Sequence, residues 1–292
     1  MHADEVATSQ SLVASLIADQ MPQWAGLPIR PIASSGTDNV IFRLGSDKAV
    51  RLPRVQGATG QTEKDRQWLP HLSPHLPVQL PEQLAIGRPG HGYPFEWSIY
   101  RWIEGVHQTL EQLSDPNRTA MELVRFIHAL RQIEVPESAP VGSRGGPLAP
   151  RDDSVRQAIG ELAGMIEPKK TIEIWEACLA APAWDREPVW VHGDLLPGNL
   201  LFRDGRLSVV IDWGLLGTGD PASDLIVAWN LLPPDARELF RKELEVDDAM
   251  WARGRGWALS QALIYIPYYQ KTNPVGVGFA VRAVQEILEE AR

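Results

Sequence analysis

Apolar positions first recur at helical spacing. Val6, Val13, Leu16 and Ile17 predict an amphipathic helix over residues 5–20, closed by Pro22. The period then shortens. Apolar runs at 29–33, 39–44 and 49–52 predict three strands, with the small polar stretch 34–39 after the first and a Gly-Ser-Asp turn at 45–47 after the second. Residues 61–71 return to helical spacing, with Trp68, Leu69 and Leu72 on the apolar side. Prolines at 77 and 81 make 76–87 an extended connector into a short strand, and 95–102 alternates as another strand, broken at Glu104-Gly105.

Helical spacing dominates the remainder. Leu123, Val124, Ile127 and Leu130 mark a helix over 110–133, and further helices are expected over 152–166 and 171–180. Between them, the Pro/Gly/Ser-rich stretch 136–150 reads as a mobile loop. A strand at 189–191 leads into His192-Gly193-Asp194 and a Pro-Gly break before Asn199. The runs 200–202 and 207–211, joined at Asp204-Gly205, read as a hairpin that delivers Asp212 just past its second strand. Helices over 222–232, 235–244, 249–265 and 275–291 follow, rich in Trp and Tyr.

Composition narrows the class. The 292 residues are enough for one large domain or two lobes. Cys178 is the single cysteine, so an internal disulfide is excluded and a reducing compartment fits. No apolar run approaches the length of a membrane span, and the polar start lacks the pattern of a signal peptide, so the expectation is a cytoplasmic protein without a membrane partner. A net charge of −9 speaks against nucleic acid and is compatible with a cationic partner, to which the acidic run Glu243, Glu245, Asp247 and Asp248 would add.

The chemistry concentrates at 189–224. Asp194, Asn199 and Asp212 are placed to meet at one end of a small sheet. Phosphoryl transfer needs a carboxylate to orient an attacking hydroxyl and take its proton, and it needs hard oxygen ligands for Mg²⁺. Asp194 suits the first need; Asn199 and Asp212 suit the second. The segment HGDLLPGN resembles the H-x-D-x-x-x-x-N catalytic loop of kinases, and IDW resembles their metal-binding D-F-G. His-Gly-Asp, IDWG and the following GDPASDL are together similar to the aminoglycoside phosphotransferase family of small-molecule kinases. That resemblance is dense over 189–231 and continuous, though weaker, over 32–105.

The resemblance implies a mixed α/β (α+β), protein-kinase-like fold of two lobes. An antiparallel sheet lobe over 1–104 would bind nucleotide. A mainly helical lobe over 105–292 would carry the catalytic loop and acceptor site. Asp194 becomes the catalytic residue, and Asn199 and Asp212 the Mg²⁺ ligands. The donor is ATP or GTP. Ser34, Ser35, Gly36 and Thr37 would approach the phosphates. Arg51 stands where the family has Lys, and Asp65, with Glu63 as the alternative, where it has Glu to pair with that cation. Tyr100 would back the adenine, with the backbone of Arg101 and Ile103 on the purine edge. Asp220 and Asp224 look structural, one starting a helix and the other tying the catalytic loop. The acceptor implied is a hydroxyl of an aminoglycoside-type compound; a macrolide or a small metabolite such as an amino alcohol or sugar is the alternative, and a catalytically silent nucleotide-binding module the rival. A Gly-x-Gly-x-x-Ala string at 217–222 is not a dinucleotide fingerprint, because Pro221 interrupts it and its glycines lie well beyond the strand end.

Overall fold

In the first part of the chain, alternating apolar residues and short polar turns produce neighbouring antiparallel strands. The structure is a computed structural model that describes residues 5–32 and 38–290. The expected phosphate-loop residues Ser34, Ser35, Gly36 and Thr37 lie outside the described residues. The chain divides into two compact units: residues 1–74 with 79–105, and residues 75–78 with 106–292.

The first unit begins with α1 (Gln10–Gln20), shorter than expected because Ser9 caps it, its hydroxyl accepting from Leu12 N. Such a cap contributes about 1 kcal/mol. Strands β1 (Ile29–Pro31), β2 (Asn39–Leu44) and β3 (Lys48–Pro53) follow, then α2 (Gln61–Leu72), β4 (Gln83–Gly87) and β5 (Trp97–Arg101). The sheet order is β1-β2-β3-β5-β4, with every pairing antiparallel. Val13, Leu16 and Ile17 of α1 pack with Leu44, Val50, Leu52, Trp97 and Ile99 of the sheet in one buried cluster. Alternation within β3 sends Val50 and Leu52 into that cluster and Arg51 to the opposite face.

The second unit contains α3 (Pro116–Gln132), α4 (Asp152–Glu161), α5 (Pro168–Leu179), β6 (Val189–Val191), β7 (Leu200–Arg203), β8 (Arg206–Val210), β9 (Gly217–Gly219), α6 (Val227–Leu231), α7 (Pro234–Glu243), α8 (Asp248–Tyr269) and α9 (Pro274–Glu290). The hairpin β7–β8 turns at Asp204-Gly205, both with positive φ, as an Asp-Gly turn requires. Helix α8 outruns its expected end. Pro267 forfeits one helical hydrogen bond, but Ile266 is fully buried and Tyr265 and Tyr269 stack at 4.4 Å across it. Residues 221–226 form a tight 3₁₀ turn rather than the start of an α-helix.

Strand β9 was not expected. It pairs with β6, and the stretch 136–150, expected to be mobile, is bound along its other side. Gly142 N donates to Thr218 O at 2.9 Å, Thr218 N to Pro140 O at 2.8 Å, and Asp220 N to Gly145 O at 2.8 Å. The approach needs glycine on both sides: a Cβ on Gly217 would lie 2.3 Å from the Gly142 Cα, and one on Gly219 2.4 Å from the Gly145 carbonyl oxygen. Small residues that suggested mobility therefore serve close backbone contact.

Candidate functional site

The loop expected to be catalytic, 192–199, hangs from β6 and is fixed from behind. His192 N and Gly193 N donate to Asp224 at 2.9 and 2.7 Å. The Asp224 carboxyl is fully buried, and burial raises its pKa against the opposing pull of His192 and of the two amide donors. Asp220 caps the next turn through Ala222 N and is held by Arg253 through two bonds, of 2.7 and 3.3 Å. The His192 ring is buried edge-on to Trp213, with Nε2 3.0 Å from the Ile211 carbonyl, and its Nδ1 accepts from Asp194 N at 3.2 Å. Gly193 turns the loop with a φ of +79°, so the next carboxylate leaves the core.

Asp194 is partly exposed and meets three side chains. Asn199 Nδ2 donates to its Oδ2 at 3.1 Å and to its carbonyl at 2.8 Å. Arg144 Nη1 donates to Oδ1 at 2.7 Å, and Gln261 Nε2 to the same oxygen at 2.9 Å. Holding the Asn199 nitrogen on Asp194 turns its amide oxygen away from the carboxylate. Ile211 N donates to the Asn199 carbonyl at 2.9 Å, which ties the loop to the chain one residue before Asp212. Asp212 itself adopts φ +59° at the end of β8. A neutral amide oxygen and a carboxylate are the donor chemistry Mg²⁺ takes, with phosphates and water completing six ligands. Among the described residues no trio of His, Cys, Asp or Glu could hold a metal, so such a site would need oxygens from a substrate.

Arg144 and Gln261 were not foreseen. Arg144 is the one charged residue between Glu137 and Arg151, and Gln261 stands beside Ser260 within ALSQALIYI; those are the only marks each carries in the sequence.

In the first unit, Arg51 meets Asp65. Its Nη1 lies 3.1 Å from Asp65 Oδ2, its Nη2 bonds Gln61 Oε1, and the two charged side chains are 12% and 3% exposed. Glu63, the alternative partner, is exposed and turned to Arg66. Tyr100 donates its hydroxyl to the same Asp65 oxygen at 2.6 Å, and burial, with the Asp65 charge, holds its phenol above the usual range. The residue expected behind an adenine thus fixes Asp65. Arg101 N donates to Glu82 O and Trp102 N to Asp47 O, whereas Ile103 N makes no backbone bond among the described residues.

Comparison with known proteins bears on the family and the fold. The model of the phosphotransferase enzyme family matches residues 28–257. An Escherichia coli aminoglycoside 3'-phosphotransferase is 25% identical over 156 residues, 50% of this chain and 58% of that protein. The uncharacterized protein YcbJ of Bacillus subtilis (strain 168) is 26% identical over 227 residues, 73% of this chain and 66% of that protein. The chain therefore spans less than two thirds of either curated relative. Among solved structures, the GDP and kanamycin complex of APH(2")-IIIa superposes with a TM-score of 0.73 at 17% identity, covering 96% of this chain and 99% of that one. The macrolide 2'-phosphotransferase MphH of Brachybacterium faecium superposes with a TM-score of 0.60 at 22% identity, covering 94% and 98%. Those likenesses show a shared fold; the family model, matching well over half the residues, places this chain in the phosphotransferase enzyme family.

Proposed function

We propose that this protein is a Mg²⁺-dependent small-molecule kinase that moves the γ-phosphate of ATP or GTP to an acceptor hydroxyl. The observation that carries the reading is the pair of hydrogen bonds that Asn199 Nδ2 donates to Asp194, one to its carboxylate and one to its carbonyl. It holds the Asp194 carboxylate on one side and aims the Asn199 amide oxygen to another, so proton acceptor and metal ligand are set by one contact. Asp194 orients the acceptor hydroxyl and takes its proton. A carboxylate is a weak base, which is sufficient because a loose transition state asks mainly for positioning and charge neutralisation. Asn199 and Asp212 hold Mg²⁺, which neutralises charge on the phosphates when bound. Arg51, steadied by Asp65, Gln61 and Tyr100, meets the nucleotide phosphates in place of a lysine, and the Arg101 carbonyl and Ile103 amide meet the purine edge. Ser34, Ser35, Gly36 and Thr37 keep the phosphate-loop role the resemblance implies.

Aminoglycosides are the acceptor class that the family brings first, with macrolides, amino alcohols and sugars next. The test is a screen with ATP or GTP and Mg²⁺, read by mass spectrometry for addition of one phosphoryl group. A product that forms with wild type and fails with Asp194→Ala supports the reading. Equal product from both would remove it.

A further inference from the structure

The carboxylate assigned as proton acceptor has a cation beside it. Arg144 Nη1 donates to Asp194 Oδ1 at 2.7 Å and to the Gly193 carbonyl at 3.3 Å. The other guanidinium donors, Nε and Nη2, reach no hydrogen-bond acceptor among the described residues, and the side chain is 23% exposed. A planar fork with one nitrogen on a carboxylate and its remaining donors open is the geometry that takes a second oxyanion. Behind it, Arg151 lies over the Trp257 ring and donates to Ser260 Oγ at 2.9 Å. Burial, and then the Arg144 charge, lower its pKa to about 10, so the two cations feel each other.

The acidic run that would attract a polycation is elsewhere. Asp248 opens α8 more than three turns before Gln261, about 20 Å along the helix. Asp247 is spent as the helix cap on Met250 N, and Asp248 on Arg241. One turn beyond Gln261, Tyr265 lies near enough to Asp194 to feel its charge, and it stacks on Tyr269, which meets Tyr268. The acceptor end of α8 therefore offers an amide and aromatic faces, with no carboxylate of its own.

We propose that Arg144 selects the acceptor: its open N–H groups bind the carboxylate or phosphate of an acidic, hydroxylated molecule and so set that molecule's hydroxyl against Asp194. This inference rests on the phosphotransferase reading and specifies its acceptor. In the transfer, the acceptor oxygen forms a bond to the γ-phosphorus, the bond from that phosphorus to the bridging oxygen of the nucleotide breaks, and the nucleoside diphosphate leaves. The hydroxyl proton passes to Asp194. A polycationic acceptor would instead have to bring ammonium groups against a guanidinium, with only the already paired Asp194 carboxylate to offset the like-charge repulsion.

Binding and transfer are measured separately. Gluconate, glucose 6-phosphate, glucose and kanamycin are titrated calorimetrically into wild type, Arg144→Gln and Arg144→Lys. Each is then incubated with ATP or GTP and Mg²⁺ and searched for a phosphorylated product. The expected result is binding of an acidic probe at least tenfold tighter than glucose, weakened at least tenfold by Arg144→Gln and several fold by Arg144→Lys. Which acidic probe binds distinguishes a carboxylate from a phosphate source. Tighter binding of glucose or kanamycin, no binding of either acidic probe, or acid binding unchanged in both variants overturns the inference. Phosphorylated kanamycin with inert acids overturns it and leaves the kinase reading standing. Arg144-dependent acid binding, with no product from any probe and no nucleotide turnover that requires Asp194, leaves an acid-binding site at Arg144 standing and overturns both the kinase reading and Arg144's role as acceptor selector.

Discussion

The Arg51–Asp65 pair of the first unit and the Arg144–Asp194 pair of the second have comparable separations, 3.1 and 2.7 Å, and differ in nearly everything around them. Asp65 sits in a closed set: Arg51 and Tyr100 share one of its oxygens, Gln61 holds the other end of the guanidinium, and water barely reaches either charge. Asp194 and Arg144 keep 20% and 23% of their side chains exposed, and the partners of Asp194 come from three different segments. A closed pair fixes a geometry: in its proposed role Arg51 meets phosphate while it stays on Asp65, since leaving would strand a charge. An open pair can release one contact and gain another with a ligand. Access, more than bond length, separates a pair that stays paired from one that can exchange.

That contrast can be broken at four places. The largest effect is expected at the open carboxylate: Asp194→Ala should lower phosphoryl transfer by roughly 10³-fold, in line with losing a positioned base, while nucleotide affinity moves only a few fold. Steady-state turnover beside nucleotide titration checks it, and near-normal turnover would demote Asp194 to a structural residue.

Next comes the closed pair. Asp65→Ala leaves a guanidinium buried without its carboxylate, and denaturant unfolding should show a loss of about 3–5 kcal/mol. Arg51→Lys should also be measurable, because one ammonium cannot reproduce a fork that spans Asp65 and Gln61. Wild-type stability in both variants would mean that the pair is not the scaffold described.

A smaller change is expected from Asp212→Asn, which removes one charged ligand. Nucleotide binding in the presence of Mg²⁺ should weaken roughly tenfold, about 1.4 kcal/mol, and binding without the metal should hardly move. Identical Mg²⁺ responses in wild type and variant would take Asp212 out of the metal site.

The smallest effect is on stability at the open pair. Arg144→Ala should shift unfolding free energy by no more than about 1 kcal/mol, as for partly exposed ion pairs. A loss as large as that of Asp65→Ala would show that Arg144 is scaffold after all and erase the contrast.

The features legible in advance share one property: their partners are near in sequence or belong to one patterned segment. The β7–β8 hairpin follows from two apolar runs around Asp-Gly. The meeting of Asp194 with Asn199 follows from a loop only long enough to turn once. Arg51 and Asp65 are fourteen positions apart, on a strand and the helix that follows it, and the family pattern chose Asp65 over Glu63. The Asp224 tie to the catalytic loop was also visible in that pattern. Two expectations, the mobility of 136–150 and the end of the helix over 249–265, fell short for opposite reasons. Glycines were read as slack where they serve contact, and Pro267 was outweighed by packing on both its sides.

By itself, then, the sequence determined the local elements, the spacing of Asp194, Asn199 and Asp212, and the chemistry those groups suit, because turns, strand periods and loop lengths act over a few residues. Tertiary structure alone decided what surrounds the carboxylate. Arg144 is 50 positions before Asp194 and Gln261 67 after it. Arg144 arrives because Gly142 and Gly145 lie flat against Gly217 and Gly219, and Gln261 because α8 packs along the turn at 221–226. Neither contact is coded by a local period. Each exists only once backbones far apart in the chain have closed to van der Waals distance, and with it comes the charge beside Asp194.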